Sequence, residues 1–329
     1  MTLRKATLFI LILTLGFVSC KKDDDGGTVD VIIRDRTEQQ LADNDSINKY
    51  LNNHYYNSSE FEALTNPSIE ELVITKLLEN ETVPVGSTLL IDAIETKTVV
   101  FSDTDYEIHF LDLNKNVSEN APSPSFADNV LVTYEGFTLE NVVFDSAINP
   151  VLFDLTSLIP GWRKVLPEFK TSESVEEAIN VDSNGDGIPD ISDGTLNYNN
   201  HGVGVMFLPS GLAYYSSATS GISVYSPIIF KFDLLKTSEN DHDGDGVPSY
   251  LEDLNNDSEF IVNFDDLTDE TDDDTDGDGT PDYFDIDDDG DGVLTINEDL
   301  NGDGDPTNDI GSNGIANYLD PEETVSKND

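Results

Sequence analysis

The sequence has very little of several residue types on which other proteins depend for chemistry or binding. Cys20 is the only cysteine in 329 residues, which excludes a disulfide within the chain. Of the four histidines, His54 and His109 are expected to be structural, and His201, in a loop of glycine and asparagine, to be solvated. Basic residues are scarce: 16 face 67 acidic residues, for a formal net charge of -51. This balance excludes nucleic acid and anionic membrane surfaces as electrostatic partners.

The longest apolar run lies near the N-terminus and is too short for a comfortable membrane-spanning helix. Arg4 and Lys5 precede it, and Ser19 and Cys20 follow it, which is the layout of a secretory signal. Because Cys20 follows a small residue at the end of the run, it resembles the lipid-acceptor cysteine of a bacterial lipoprotein. An ordinary signal peptide with an incidental cysteine is the alternative.

The lipoprotein resemblance implies a signal peptide over residues 1–19, a lipidated tether over residues 20–36 and a membrane anchor at Cys20. The charged residues 21–25, KKDDD, resemble the short signals that send lipoproteins of the Bacteroidota to the cell surface. We therefore expect a protein anchored in the bacterial outer membrane, on the cell surface or facing the periplasm. A lipidated Cys20 would leave the mature chain without a thiol, which excludes cysteine catalysis.

Residues 37–127 are predicted to form an extension of helices and strands ahead of the main domain. The first helix is predicted from apolar residues at close to helical spacing, namely Leu41, Ile47, Leu51 and Tyr55. Thr37 and Gln40 are placed as its capping box. A second helix is predicted over residues 69–78, preceded by Ser68 as its start signal with Glu71 three residues on.

From Ser87 onward the apolar residues alternate, which is typical of strands. The predicted strands are residues 89–94, 96–101, 106–113, 130–134, 142–144, 203–208 and 228–235. One short helix is predicted after Pro160, because proline suits a first helical turn. Several short strands around one short helix indicate an α+β domain, in which an antiparallel sheet curls over the helix.

Five segments of this region resemble the FKBP-type peptidyl-prolyl cis-trans isomerases in order and spacing. They are NVLVTYEGF, VVFDS, FDLTSLIPGW, GVGVMFLPSGLAYY and SGISVYSPIIFKFDLL. The resemblance implies an FKBP-like domain over residues 128–236, with an insertion at 170–202. It also implies the fold of that family, an antiparallel sheet wrapped on one short helix, in agreement with the strand pattern.

The resemblance also implies a pocket for proline-containing polypeptides. Its residues would be Tyr134, Phe144, Asp145, Phe153, Leu158, Ile159, Trp162, Tyr214, Ile222 and Phe230. Trp162, the only tryptophan, would be the floor, and the backbone at Leu158 and Ile159 would hold the substrate. The alternative is that these aromatic residues are plain core.

Two departures from the family pattern lie at the rim of this pocket. Tyr215 replaces the glycine that follows Tyr214, so the turn must take another conformation or tolerate strain. Ser223 and Val224 stand where prolines are usual. We expect these changes to affect substrate preference and rate more than the activity itself.

Residues 237–329 are the most acidic part of the chain, with 32 acidic residues and one base. Aspartates there recur at positions one, three and five of short loops, with an acidic residue at position twelve and glycine at six, which is a calcium-loop pattern. The predicted ligands are Asp241, Asp243, Asp245, Glu252; Asp274, Asp276, Asp278, Asp285; and Asp287, Asp289, Asp291, Glu298. A further loop in the insertion offers Asp182, Asn184, Asp186, Asp190 and Asp193.

The repeated motif DGDGxPxY resembles thrombospondin type 3 and related bacterial calcium repeats more than paired EF-hands, because full flanking helices are not evident. Calcium would order these loops by neutralising carboxylates that otherwise repel each other. The alternative is a disordered acidic tail.

The sequence therefore predicts a lipid-anchored prolyl isomerase that acts on envelope or secreted proteins and carries structural calcium, with no cofactor for catalysis. Two alternatives remain open. One is a calcium-dependent surface binding or adhesion protein on an FKBP-like fold without catalysis. The other is a chaperone that grips proline-containing chains without turnover.

Overall fold

The computed structural model describes residues 33–181, 183, 189, 191–263, 269 and 271–328. Contacts divide the chain into two units, and the described residues from Arg34 onward belong to the second. The predicted signal peptide and Cys20 lie outside the described residues. In the described part of the chain, no helix has the length and apolar character to cross a membrane.

The described residues form three α-helices and eleven strands. The helices are α1 (Arg36–Asn53), α2 (Ser58–Glu62) and α3 (Pro160–Val165). The strands are β1 (His54–Tyr56), β2 (Ile74–Lys76), β3 (Thr88–Leu89), β4 (Glu95–Phe101), β5 (Thr104–Asp112), β6 (Asn129–Thr138), β7 (Val143–Asp154), β8 (Ser174–Glu177), β9 (Leu196–Asn199), β10 (Gly202–Leu208) and β11 (Ile228–Ser238).

A six-stranded sheet in the order β4-β5-β10-β11-β6-β7 is the centre of this unit, and every neighbouring pair in it is antiparallel. The helix α3 packs on one face. This confirms the predicted α+β class and the antiparallel sheet over one short helix. Two smaller sheets, β2-β1-β3 and β8-β9, lie outside the central sheet.

Both faces of the central sheet are covered at its inner strand β10. All seven residues of β10 are buried. On one face Met206 and Leu208 join the cluster that contains Trp162. On the other face Val205 and Phe207 join a second cluster with residues of α1 and the N-terminal extension. The extension thus covers the face of the sheet opposite α3.

The predictions for the extension are partly right. The first helix is confirmed as α1, although Asp35 caps it by accepting from the Glu38 N–H, and Leu41 points to solvent. The second predicted helix is wrong. Ser68 and Glu71 do form the expected start signal, since the Ser68 N–H donates to Glu71, but the chain makes a single turn and then enters β2, which pairs with β1.

Three further differences concern strands and one histidine. The predicted strand 89–94 is a two-residue strand followed by a 3₁₀ turn, Leu90–Asp92. The predicted strand 142–144 is much longer, because β7 continues to Asp154. His201 is buried rather than solvated: its Nδ1 lies 3.1 Å from the Tyr198 carbonyl oxygen, and its Nε2 lies 3.4 Å from Asp233.

Gly161 in α3 permits the close approach of that helix to β10. A Cβ at this position would lie 2.7 Å from Leu208 Cδ2, inside the buried core. Helix propensity alone predicts that Gly161→Ala stabilises α3 by about 1 kcal/mol. We expect the opposite, a loss of about 1–3 kcal/mol of unfolding free energy, because the extra methyl overpacks the site.

Urea unfolding of Gly161→Ala measures this effect. Combining it with Leu208→Val is the control, because the shorter side chain makes room for the methyl. The pair should then be less destabilised than the sum of the two single variants. Stabilisation by Gly161→Ala, or strict additivity, would contradict the packing described here.

Candidate functional site

Trp162 lies at the centre of a group of aromatic rings on the α3 face of the sheet. Its ring centroid is 5.0 Å from that of Phe230, 5.8 Å from that of Tyr134 and 6.1 Å from that of Phe153. Phe144 meets Phe230 edge to face at 5.5 Å. These five residues, which we call the aromatic cup, are brought together from β6, β7, α3 and β11.

Strand register explains how β6, β7 and β11 place these rings. Phe230 pairs with Gly136 of β6, and Gly136 pairs with Asp145 of β7. The next β6–β7 pair is Phe137 with Val143, so Phe144 is an extra residue in a bulge, a device that re-aims a side chain. A Cβ on Gly136 would lie 2.6 Å from the Phe230 ring and 2.7 Å from the Phe144 ring, so glycine lets the two rings meet over the strand.

A hydrogen bond joins the polar edge of the cup. The Tyr134 hydroxyl donates to Asp145 Oδ2 at 2.7 Å, and Asp145 is otherwise exposed. Burial, and then this hydrogen bond, raises the pKa of Tyr134 above its ordinary value. The phenol therefore stays protonated at neutral pH and presents Asp145 as a fixed negative group at the edge.

The start of α3 provides a backbone donor beside the cup. Pro160 occupies the first helical turn, and Ile159 is the N-cap residue. The Ile159 carbonyl accepts from the Trp162 N–H at 3.1 Å, whereas the Ile159 N–H has no acceptor among the described residues. Leu158 and Ile159 are half-buried against the cluster around Trp162. The role of this N–H in binding a ligand stays a prediction.

The remaining predicted pocket residues lie around the same cluster. Ile222 is buried within it, and Tyr214 is half-buried against it. Burial, followed by the charge of Asp145, raises the pKa of Tyr214. All ten predicted pocket residues thus belong to one region of the structure. Their catalytic role stays a prediction.

Tyr215 adopts the strained backbone that its sequence position implies. Its φ is 47°, in the left-handed region that favours glycine. Its ring meets Tyr225 edge to face at 5.2 Å, the Arg36 guanidinium lies 4.3 Å from the ring centroid, and its hydroxyl donates to the Arg34 carbonyl. Contacts with the start of α1 therefore offset the cost of this turn conformation.

The acidic region contacts α3 directly, which the sequence did not reveal. Lys164 is buried, and its ammonium donates to the carbonyls of Asp257 at 2.8 Å and Ser258 at 3.1 Å and pairs with Glu259 at 2.7 Å. Arg163 pairs with the same Glu259. The helix that carries Trp162 is thus held by the sheet on one side and by residues 257–259 on the other.

A second contact joins the acidic region to the end of β7. His242 Nε2 lies 3.3 Å from Asp154 Oδ2 and 3.4 Å from Thr156 Oγ1. Tyr283 stacks on Phe260 at 3.8 Å, and Phe260 in turn meets Phe126 at 5.2 Å. Aromatic contacts and ion pairs together fix this part of the acidic region against the central domain.

Three carboxylate groups in the acidic region have the spacing of cation sites. They are Asp243, Asp245, Glu252 and Asp288; Asp274, Asp276 and Asp278; and Asp287, Asp289 and Asp291, with ligand oxygens within 4.8 Å of one another in each group. Short 3₁₀ turns rather than helices follow these loops, as at Ser249–Leu251 and Asp282–Phe284. The structure carries no ion, and carboxylate oxygens are the ligands that calcium prefers.

Some predicted ligands fall outside these groups. Asp241 instead accepts from the backbone N–H of Gly244 and Gly246, and Asp285 accepts from the Asp287 N–H. Glu298 is fully buried with both oxygens unpartnered, and burial raises its pKa to about 8. Asp288, which joins the first group, has no place in the calcium-loop pattern and was missed.

The insertion loop is described only in part. Asp182, Asn184, Asp186 and Asp190 lie outside the described residues. Asp193 is described, and it accepts from Thr195 and Asn180 in a turn. The unit has open cavities of about 530 and 430 Å³; Trp162 lines neither of them, and Tyr134 is the one residue of the aromatic cup that lines the second.

Comparison with known proteins gives partial matches. The family model described as BamM C-terminal matches residues 242–307. The structure is similar to a peptidyl-prolyl cis-trans isomerase from Pseudomonas syringae pv. tomato, at 22% identity over 40% of this chain and 76% of that chain, with a TM-score of 0.29. It is also similar to FkpA from Escherichia coli, at 22% identity over 44% of this chain and 51% of that chain, with a TM-score of 0.30. No curated protein matches the sequence.

The Lys164 contact gives a prediction about the acidic region. Lys164→Met keeps much of the buried side-chain volume but leaves two carbonyls and one carboxylate without their ammonium. We expect a loss of about 2–3 kcal/mol of unfolding free energy, since two carbonyl oxygens lose a charged donor while Glu259 keeps its contact with Arg163. Hydrogen exchange should also become faster at the amides of residues 253–261.

Lys97→Met is the matched control for this variant. Lys97 pairs with Glu168, next to the same helix, but both side chains are more than a third exposed. Its loss should cost under about 1 kcal/mol and leave exchange in residues 253–261 unchanged. Equal effects of the two variants would show that the Lys164 contact does not hold the acidic region.

Proposed function

We propose that this protein is a peptidyl-prolyl cis-trans isomerase that acts on proline-containing segments of envelope or secreted proteins. The observation that carries this proposal is the aromatic cup around Trp162, with the Tyr134 hydroxyl bound to Asp145 at its edge and the Ile159 N–H free beside it. The resemblance of residues 128–235 to the FKBP-type isomerases supports the same function.

The chemistry of the reaction suits such a site. Rotation about the prolyl amide has a barrier of about 18–20 kcal/mol, because the twisted amide loses its resonance. No bond breaks, so neither a nucleophile nor a proton carrier is needed, and the site has only to bind the twisted amide better than the planar one. Dry aromatic walls favour the less polar twisted amide and hold the proline ring.

Named groups would share the work of binding. The rings of Phe144, Trp162 and Phe230 would enclose the proline, and the Ile159 N–H would donate to a substrate carbonyl. Asp145, fixed by Tyr134, would act on the polar amide at the edge. Tyr214 and Ile222 would complete the rim.

We also propose that calcium orders the acidic region and that Cys20 anchors the protein to the bacterial outer membrane. The calcium proposal rests on buried carboxylates without partners. Burial and neighbouring carboxylates raise the pKa of Glu252 and Asp288 far above the ordinary range, which shows how unfavourable their charges are without a cation. The anchor, on the cell surface or facing the periplasm, rests on the N-terminal sequence.

A second candidate function is calcium-dependent binding at the surface without catalysis. The observation that favours it is the altered rim of the cup, where Tyr215 holds a left-handed turn through contacts with α1. A chaperone that grips proline-containing chains without turnover would use the same cup. Both would bind a prolyl peptide without accelerating its exchange.

Prolyl exchange in a short peptide, followed by NMR in the presence of calcium, tests the isomerase. The wild-type protein should accelerate exchange, and Phe144→Ala should lower kcat/KM by about 10- to 100-fold, because it removes one wall of the cup. Asp145→Asn should also lower the rate, since it removes the negative group while keeping an acceptor for Tyr134.

Phe101→Ala is the matched control, because Phe101 is also half-buried against the core cluster but does not belong to the cup. It should leave kcat/KM nearly unchanged. Absence of acceleration by the wild-type protein would exclude the isomerase. Peptide binding without acceleration would favour the second candidate or the chaperone.

Removal of calcium from the full chain tests the metal proposal. In chelator the acidic region should be cleaved more readily by protease, and calcium should restore protection and raise the midpoint of unfolding. At about 100 times its dissociation constant, each ion should add about 2.7 kcal/mol of stability. If calorimetry detects no calcium heat and circular dichroism is the same with chelator, the loops are only an acidic tail.

A further inference from the structure

Four carboxylates from two separate loops meet inside the acidic region. Asp243, Asp245 and Glu252 come from the first predicted calcium loop, and Asp288 comes from the third. Their ligand oxygens lie within 4.8 Å of one another. The second predicted loop, residues 274–285, lies between them in the chain, so the meeting is a product of folding and not of local sequence.

Three of these side chains are buried, Asp243 is half-buried, and all four have unsatisfied oxygens. Asp245 and Asp288 are 1% exposed, and Glu252 is fully buried. Both oxygens of Glu252, both of Asp288 and one each of Asp243 and Asp245 have no hydrogen-bond partner. No ion pair among the described residues includes any of the four. Buried carboxylates in this state require a cation or protons.

Asp288 belongs to a different carboxylate group from its two neighbours in sequence. Asp287 and Asp289 belong to another carboxylate group with Asp291, whereas Asp288 joins the group of the first loop. Asp241, the first ligand in the calcium-loop pattern, accepts hydrogen bonds from the backbone N–H groups of Gly244 and Gly246. Asp274, the first residue of the second loop, accepts the same pair of N–H bonds and still belongs to its own carboxylate group, so Asp288 adds to the ligands of the first loop and does not replace Asp241.

We propose that Asp243, Asp245, Glu252 and Asp288 bind one divalent cation of the size of Ca²⁺, which joins the first and third loops of the acidic region. This inference rests on the proposal that the region binds calcium and adds which residues share an ion. An all-oxygen ligand set selects a hard cation. Several carboxylates around one ion are typical of Ca²⁺, whereas Mg²⁺ keeps several waters and is usually held by only one or two carboxylates.

Calcium titration of the full chain, stripped of metal and followed by calorimetry, tests this site. Asp288→Asn keeps the shape of the side chain and removes its charge. It should lower the affinity for one calcium ion by at least about tenfold. Glu322→Gln is the control, because it removes the same charge from an exposed position of the acidic region. It should lower the affinity for the same calcium ion by less than about threefold.

Double variants decide which residues share the ion. Adding Glu252→Gln to Asp288→Asn should cause little further loss of calcium binding, because both residues bind the same ion. Adding Asp276→Asn, from the second loop, should remove a different ion, so that the two losses add. Circular dichroism in chelator should show that each variant keeps the fold of the central domain.

Three outcomes overturn the inference. No effect of Asp288→Asn would show that Asp288 is not a ligand while calcium binding itself stands. Additive losses for Glu252→Gln and Asp288→Asn would place the two residues on different ions. No calcium binding by the wild-type chain would remove both this site and the broader calcium proposal.

Discussion

The packing of α3 is the interaction on which the rest of the structure depends. A helix of six residues is far too short to be stable alone, so its position must come from tertiary contacts. Trp162 and Val165 face the central sheet, while Arg163 and Lys164 face residues 257–259. The same helix begins at Pro160 and supplies Trp162 to the aromatic cup. A change on either side of α3 therefore acts on the cup.

The distribution of charge sets a second constraint. Many carboxylates of the acidic region are buried, and Lys327 is its only base. Hydrogen bonds from backbone N–H groups satisfy some of them, as at Asp253, which accepts from Asp257 and Ser258. Glu252, Asp288 and Glu298 have no such hydrogen bond, since both oxygens of each are without a partner among the described residues. Their burial at neutral pH requires either protonation or a neutralising cation.

The central domain could be read from the sequence because its signals are local or periodic. Alternation predicted β4, β5, β6, β10 and β11, and Pro160 predicted the start of α3. The failures are of another kind. Ser68 and Glu71 make a correct start signal for a helix that does not continue, since pairing of β2 with β1 determines the conformation of the following residues.

The sequence predicted which residues belong to the site but not how they are arranged. The aromatic residues followed from the family resemblance, but the bulge at Phe144 depends on pairing between two strands, and no residue in β7 signals it. Asp288 and the Lys164 contact were missed for a similar reason. Each joins segments that are far apart in sequence, and the pattern of a single loop carries no information about a neighbouring loop.

These missed contacts share one segment of the chain. Glu252 belongs to the four-carboxylate group, Asp253 accepts from the backbone of Asp257 and Ser258, and these two residues in turn accept from Lys164 of α3. A cation that fixes Glu252 therefore restricts the segment that holds the helix of Trp162. If its occupancy changes the affinity of the cup for a prolyl chain, linkage requires that the chain changes the affinity for the cation by the same factor. The acidic region and the cup would then be one energetic unit, although their sequences share no motif.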